Sequence, residues 1–248
     1  MKNGIIFNHV SFGYSKNKSL IEEVNFSIEK GSFVGITGVN GSGKTTLALM
    51  LNGIIPHEIT GNFSGTITVD GVDTKTKPVS YFAQKIGMVF QNPDFMLFNL
   101  TVTEEIAFGL KNVKIQNIET KITKALEMVG MESFATRDPQ TLSLGEKQKI
   151  CLAAVLALDT EYIVLDEPVA MLDYQGAVHL YKILDELNKK HNKTIIVIEH
   201  DTDFLFAHAK ETIIVDKGKI LFNDTTKKVF DHKIELRKIG IKIPQPIR

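Results

Sequence analysis

The sequence predicts an α/β fold in which a core of parallel strands alternates with helices and is interrupted by a helical insertion around residues 93–158. Three observations carry this. A glycine-rich stretch follows one apolar run and opens a helix-compatible segment; two further short apolar runs flank an amphipathic stretch; and helical periodicity holds from about residue 101 to 158.

The N-terminal part reads as short strands. Residues 5–10 are rich in β-formers, and residues 24–28 alternate apolar and polar before a Lys30-Gly31 turn. Residues 33–36 are the strand that leads into the glycine-rich stretch, and residues 46–51, free of helix breakers, are the helix that leaves it. A strand over 65–69 ends at the turn dipeptide Asp70-Gly71, and residues 85–91 read as a largely buried strand. Thr101 and Glu104 have capping-box spacing, and Ile118, Ile122, Ala125, Leu126 and Val129 share one helical face. Residues 162–165 and 194–198 are strands with the amphipathic stretch 177–190 between them; residues 212–215 and 219–222 flank a turn at 216–218. Residues 227–240 predict one helix, stopping before Pro244 and Pro246.

At 248 residues the chain is long enough for a full core. Lys+Arg and Asp+Glu both number 29, so charge offers no footprint for nucleic acid or an anionic membrane. The single cysteine, Cys151, excludes an intrachain disulfide and suits a reducing compartment; within the apolar run 150–158 it reads as a buried small hydrophobe. That run is well short of the ~20 residues that cross a bilayer. Lys2 is followed by no extended apolar region, so no signal peptide is expected. A soluble cytoplasmic chain follows, with any membrane role supplied through a partner.

The stretch Gly38-Val39-Asn40-Gly41-Ser42-Gly43-Lys44-Thr45 fits G-x-x-x-x-G-K-[ST] at every specified position, in strand–turn–helix context. Consecutive backbone N–H groups and a helix N-terminus converge on polyphosphate there, and glycine lets the backbone approach closely. Lys44 is placed for the β- and γ-phosphates, Thr45 for Mg²⁺, and Thr46 continues the helix opening. The apolar strand 162–165 runs into Asp166-Glu167-Pro168, which puts Asp166 on the Mg²⁺ shell and Glu167 where an attacking water would be polarised. No Asn-Lys-x-Asp element for guanine is present. The chain is expected to bind ATP with Mg²⁺.

With these motifs in order, the chain resembles ABC-type ATPase subunits of transporters over nearly its whole length. The resemblance implies a P-loop NTPase (ABC ATPase) core with an antiparallel β subdomain and an inserted helical subdomain. It divides a single domain, 1–248, into core and β subdomain over 1–92 and 159–222, a helical signature subdomain over 93–158, and a helical tail over 223–248. It makes Tyr14 the adenine-stacking aromatic, Gln91 the glutamine that touches Mg²⁺ and water, and His200 the switch histidine near the γ-phosphate. Leu142-Ser143-Leu144-Gly145-Glu146 resembles the signature L-S-G-G-Q, so Ser143, Gly145 and Glu146 are expected to face the ATP of the opposite subunit. Asp173, in Ala170-Met171-Leu172-Asp173, is implied to communicate across the dimer. Leu144 replaces the first signature glycine; a left-handed backbone there would cost roughly 1–2 kcal/mol and weaken closure or hydrolysis.

Three segments look like the energy-coupling factor (ECF) importers of vitamins and metal ions: 51–57 with 64–65 and 70–74, 89–94, and the ending 235–241 with Pro244. That resemblance implies head-to-tail dimerisation with a second ABC ATPase, identical or not. It also implies docking on a membrane scaffold (T) subunit that carries a substrate-binding membrane (S) subunit, at the cytoplasmic face of the cell membrane. The scaffold would be received near Gln91 and residues 92–108, where Phe95, Met96, Leu97, Phe98 and Leu100 form either an exposed apolar patch or a locally folded core segment. Two other readings remain open: a soluble ABC ATPase of an assembly complex, such as iron–sulfur cluster building, and a catalytically weak partner in a heterodimer.

Overall fold

The computed structural model describes residues 4–15 and 18–245, so Lys2 and Pro246 lie outside the described residues. β1 (Gly4–Gly13) and β2 (Ile21–Glu29) pair antiparallel, with Ile5 opposite Ile28 and Phe7 opposite Phe26. Along β2 the buried residues Ile21, Val24, Phe26 and Ile28 alternate with exposed polar ones, the pattern of a sheet with one face on a core. β3 (Phe33–Thr37) leaves for a second sheet, and the phosphate-loop residues connect it to α1 (Lys44–Leu51) and the short α2 (Ile54–His57). β4 (Asn62–Val69) and β5 (Val72–Asp73) complete the first sheet in the order β2-β1-β4-β5, antiparallel throughout. α3 (Val79–Phe82) then returns the chain to β6 (Ile86–Val89).

The next three helices, α4 (Val102–Asn112), α5 (Ile118–Val129) and α6 (Leu144–Leu158), form the insertion. α4 starts where the sequence signals it: the Thr101 hydroxyl accepts from Glu104 N–H at 3.2 Å. α5 ends on Gly130 at φ 68°, a left-handed cap that glycine adopts without strain. β7 (Tyr162–Asp166), α7 (Tyr174–His191), β8 (Thr194–Ile198), α8 (Thr202–His208), β9 (Glu211–Asp216) and β10 (Lys219–Thr225) finish the second sheet. Its order is β10-β9-β3-β8-β7-β6, with only the β9–β10 hairpin antiparallel. β3, β7 and β8 are buried at every position, as parallel strands covered on both faces must be.

Two apolar cores sit on the two faces of this sheet. One joins it to α4–α7 through residues such as Val89, Leu110, Ile150, Leu165 and Tyr181; the other joins it to α1 and the antiparallel sheet through Phe7, Phe12, Ile36, Leu47 and Val164. Cys151 is buried in the first, and burial pushes its thiol up to about 12. The turn after β4 is bolted to the second sheet: Asp70 accepts from Tyr162 Oη at 2.6 Å and pairs with Lys85 at 3.1 Å. The sheets are therefore held in fixed relation beside the phosphate loop.

The tail departs from the expected single helix. It forms α9 (Thr226–Asp231) and α10 (Lys233–Lys238), broken at His232. The turn lets Val229, Phe230 and Leu236 converge with Ile214 and Ile241 in a third small core, while the His232 ring stacks on Phe222. Among the described residues no helix is long and apolar enough to cross a membrane.

Candidate active site

The phosphate loop begins where β3 ends. A Cβ at Gly38 would collide with the Val215 carbonyl of β9, so the loop passes that strand only as glycine. Gly41 and Gly43 have φ of 76° and 107°, which turns the chain back on itself immediately before α1. At exposed Gly41 a Cβ would meet nothing within 4 Å. The buried Lys44 ammonium folds back onto the loop and donates to the carbonyls of Gly38 (2.9 Å) and Val39 (3.1 Å). Burial pushes its pKa below the usual lysine range, against the pull of Glu167 and Asp166.

Two polar atoms around the loop lack partners among the described residues: Ser42 Oγ and Asp166 Oδ1, both buried. Burial raises the Asp166 carboxyl above its ordinary range; the Thr45 hydroxyl bonds to it and opposes the rise, while Glu167 adds to it. An orphaned carboxylate oxygen beside an exposed threonine hydroxyl and the exposed Gln91 is an all-oxygen donor set of the kind Mg²⁺ takes. The residues present fit that ion.

β6, β7 and β8 end side by side and bring three expected residues together. Glu167 Oε2 accepts from Gln91 Nε2 at 2.6 Å, and Oε1 lies 3.1 Å from His200 Nε2. Glu167 has a left-handed backbone, φ 50°, and its N–H donates to Ile198 O at 2.9 Å, which turns its side chain out of the strand line. Tyr14 sits at the far side of the loop, half-exposed; its hydroxyl lies 3.1 Å from Thr46 Oγ1 and its ring is edge-on to Phe12.

Ser143, Gly145 and Glu146 are placed apart from this cluster, at the start of α6 on the insertion. Ser143 caps the helix, and Glu146 Oε2 accepts from both Ser143 N–H (2.8 Å) and Ser143 Oγ (2.7 Å). Those contacts hold the Glu146 carboxyl below the usual range. Gly145 lies against the 170–173 loop, where a Cβ would stand 3.0 Å from Met171 O. Asp173 caps α7 by accepting from Gly176 N–H at 2.7 Å. Leu144 corrects the expected strain: it is the first helical residue of α6, it is absent from the positive-φ residues, and its side chain is 47% exposed. A helical first turn accepts any L-residue, so the leucine acts only through its bulk.

The segment after Gln91 divides the two alternatives by residue. Leu97 is 3% exposed and belongs to the core, while Phe95 (81%), Phe98 (61%) and Leu100 (79%) stand outside it. Buried Glu105 holds this shape from α4, its Oε2 accepting from the N–H groups of Phe98 (2.8 Å) and Asn99 (2.9 Å). Sequence reasoning missed Glu105 as well as Glu199, whose buried carboxylate accepts from Val169 N–H and His200 N–H. For Glu199 a signal existed: an acidic residue directly follows five apolar or small strand residues.

The profile of the ABC transporter family matches residues 21–170 of the chain, more than half of it. A putative ABC transporter ATP-binding protein of Pyrococcus horikoshii is 43% identical over 242 residues, covering 96% of this chain and 85% of the relative. The energy-coupling factor transporter ATP-binding protein EcfA1 of Levilactobacillus brevis is 35% identical, covering 98% and 86%. Among solved structures, CbiO1 of Clostridium perfringens, part of the ABC transporter complex CbiONQ, superposes with a TM-score of 0.82 at 29% identity, covering 98% of this chain and 96% of that one. The chain belongs to the ABC transporter family: it has the ABC ATPase fold and is an ATP-binding ATPase subunit.

Proposed function

We propose that this ABC ATPase powers the import of a small solute, a vitamin or a metal ion, through an ECF-type membrane transporter. The observation that carries the chemistry is the placement of Glu167 between Gln91 and His200 at the mouth of the phosphate loop. Gly38, Asn40, Gly41, Ser42, Gly43 and Thr46 supply the backbone and hydroxyl groups that cradle ATP, and Tyr14 offers its exposed ring to the adenine. Lys44 leaves its two carbonyl partners for the phosphates, a more favourable acceptor for a desolvated ammonium. Thr45, Gln91 and Asp166 would hold Mg²⁺, which when bound supplies positive charge to the phosphate oxygens.

Glu167 orients a water and takes its proton as the water oxygen bonds to the γ-phosphorus and the bond to the β-phosphate oxygen breaks. Gln91 keeps one carboxylate oxygen of Glu167 in place, and His200, with its proton on Nε2, keeps the other. Ser143, Gly145 and Glu146 face outward on α6 and complete the site of a second copy, or of a paired ATPase, with Asp173 beside that interface.

Import rather than soluble work is supported by the similarity to EcfA1 and CbiO1 and by the apolar group of Phe95, Phe98 and Leu100, large and exposed beside Gln91. There the membrane scaffold subunit docks on the cytoplasmic face of the membrane, carrying the substrate-binding subunit whose pocket selects the solute. Purification of the tagged chain from detergent-solubilised membranes tests this. Integral membrane subunits that co-purify and raise its ATP turnover support import; soluble companions alone identify an assembly ATPase instead. A Phe95→Ser/Phe98→Ser variant is expected to lose the membrane subunits and keep Mg-ATP binding.

A further inference from the structure

Glu199 has no place in the chemistry above, yet it is a fully buried acid beside the site. It follows β8 directly and is 3% exposed. Its two carboxylate oxygens are taken by different loops: Val169 N–H donates to Oε1 at 3.3 Å and His200 N–H to Oε2 at 3.2 Å. Its own N–H donates to Ile36 O at 3.0 Å, on the strand that continues into the phosphate loop. Among the described residues no cationic side chain forms an ion pair with it; the ionisable groups facing it are Glu167 and the Tyr181 hydroxyl, and the Asp201 backbone N–H is a further donor on the His200 side. A buried carboxylate with only backbone donors around it is costly to keep. An apolar residue would fill the space better, so the position is explained by the two N–H groups that it joins.

The loop that Glu199 holds is the one between Glu167 and Asp173. It runs as successive turns, Ala170 N–H to Glu167 O (3.2 Å) and Leu172 N–H to Val169 O (3.0 Å), so fixing Val169 fixes its course. Resting on the ATPase reading, we infer that Glu199 is a positioning residue that ties the 168–173 loop to the His200 turn. Movement of that loop against a second subunit is thereby transmitted to the imidazole beside Glu167. Glutamine, with one acceptor oxygen, can serve only one of the two N–H groups and breaks the tie with almost no change in volume.

The test compares wild type, Glu199→Gln and Glu199→Ala as full chains, with kcat and KM for Mg-ATP and thermal unfolding measured on each. Both variants are expected to lose about tenfold or more in kcat, with KM held within about threefold, because nucleotide binding does not pass through His200. A kcat within about twofold of wild type in Glu199→Gln overturns the proposal. So does a loss carried by KM alone, which would mark a role in binding. Should the alanine variant fail to fold, the glutamine variant decides alone. Wild-type chain without Mg-dependent ATP turnover defeats the ATPase reading itself, a result that the variants cannot imitate.

Discussion

The strand ends of the second sheet and the tip of the helical insertion are both proposed to meet a triphosphate, the one in this chain and the other in a second subunit, but they are built in opposite ways. At the strand ends and the loop beside them, polar groups are buried and left short of partners: among the described residues Ser42 Oγ and Asp166 Oδ1 have none, and Lys44 donates to carbonyls. At the tip of the insertion the polar side chains already satisfy each other, since Glu146 occupies both donors of exposed Ser143. An unsatisfied buried group costs free energy until a ligand arrives, whereas a self-satisfied exposed group costs nothing while it waits. The first region is a site within one chain. The second, on the proposed reading, is half of a site, stable alone and open to exchange its internal hydrogen bonds for those of another subunit's nucleotide.

The largest expected effect separates them. Glu167→Gln is expected to lower turnover by roughly 10²–10⁴-fold while Mg-ATP still binds, read by phosphate release and by equilibrium binding. Retained turnover would move the chemistry away from the strand ends. Next is a pH effect at Glu199, whose carboxyl burial raises from 4.5 to about 7. Between those values the folded chain holds a proton that the unfolded chain has released, so this group's contribution to stability is full below 4.5 and is lost as pH rises through 7. The loss is on the order of 2 kcal/mol and should be missing from Glu199→Gln when urea midpoints at pH 5 and pH 8 are compared. Equal differences in the two proteins would remove Glu199 from the account.

Smaller effects belong to the insertion. Ser143→Ala removes the cap of α6 and is expected to cost about 1 kcal/mol of stability, measured by urea unfolding, with Mg-ATP affinity of the separate chain unchanged. Leu144→Gly is the mildest: about 1 kcal/mol or less of helix stability, with turnover raised only where bulk at this position hinders closure. Measured turnover that rises strongly would restore a backbone cause that the helical geometry of Leu144 argues against.

Much of this was legible because local sequence and local structure agree. The glycine spacing, the apolar runs ending in Asp166-Glu167 and in Glu199-His200, and the Thr101 cap each act within a few residues, and each of these elements lies where its sequence puts it. The missed features are those that need distant partners. Glu105 and Glu199 are ordinary acids until the fold brings the N–H groups of Phe98, Asn99 and Val169 to them. The break at His232 follows from a third core that no periodicity announces. Leu144 shows the converse, since a substitution that departs from the motif proved harmless to the backbone once its helical position was visible.

The lone thiol has a practical consequence. Cys151 is the only cysteine in the sequence, it is buried, and with its pKa pushed up to about 12 it stays uncharged at neutral pH. A cysteine introduced at exposed Leu144 would then be the one position open to maleimide dyes. Fluorescence transfer between labelled copies could follow two subunits closing and parting in real time, without first stripping the native residue from the chain.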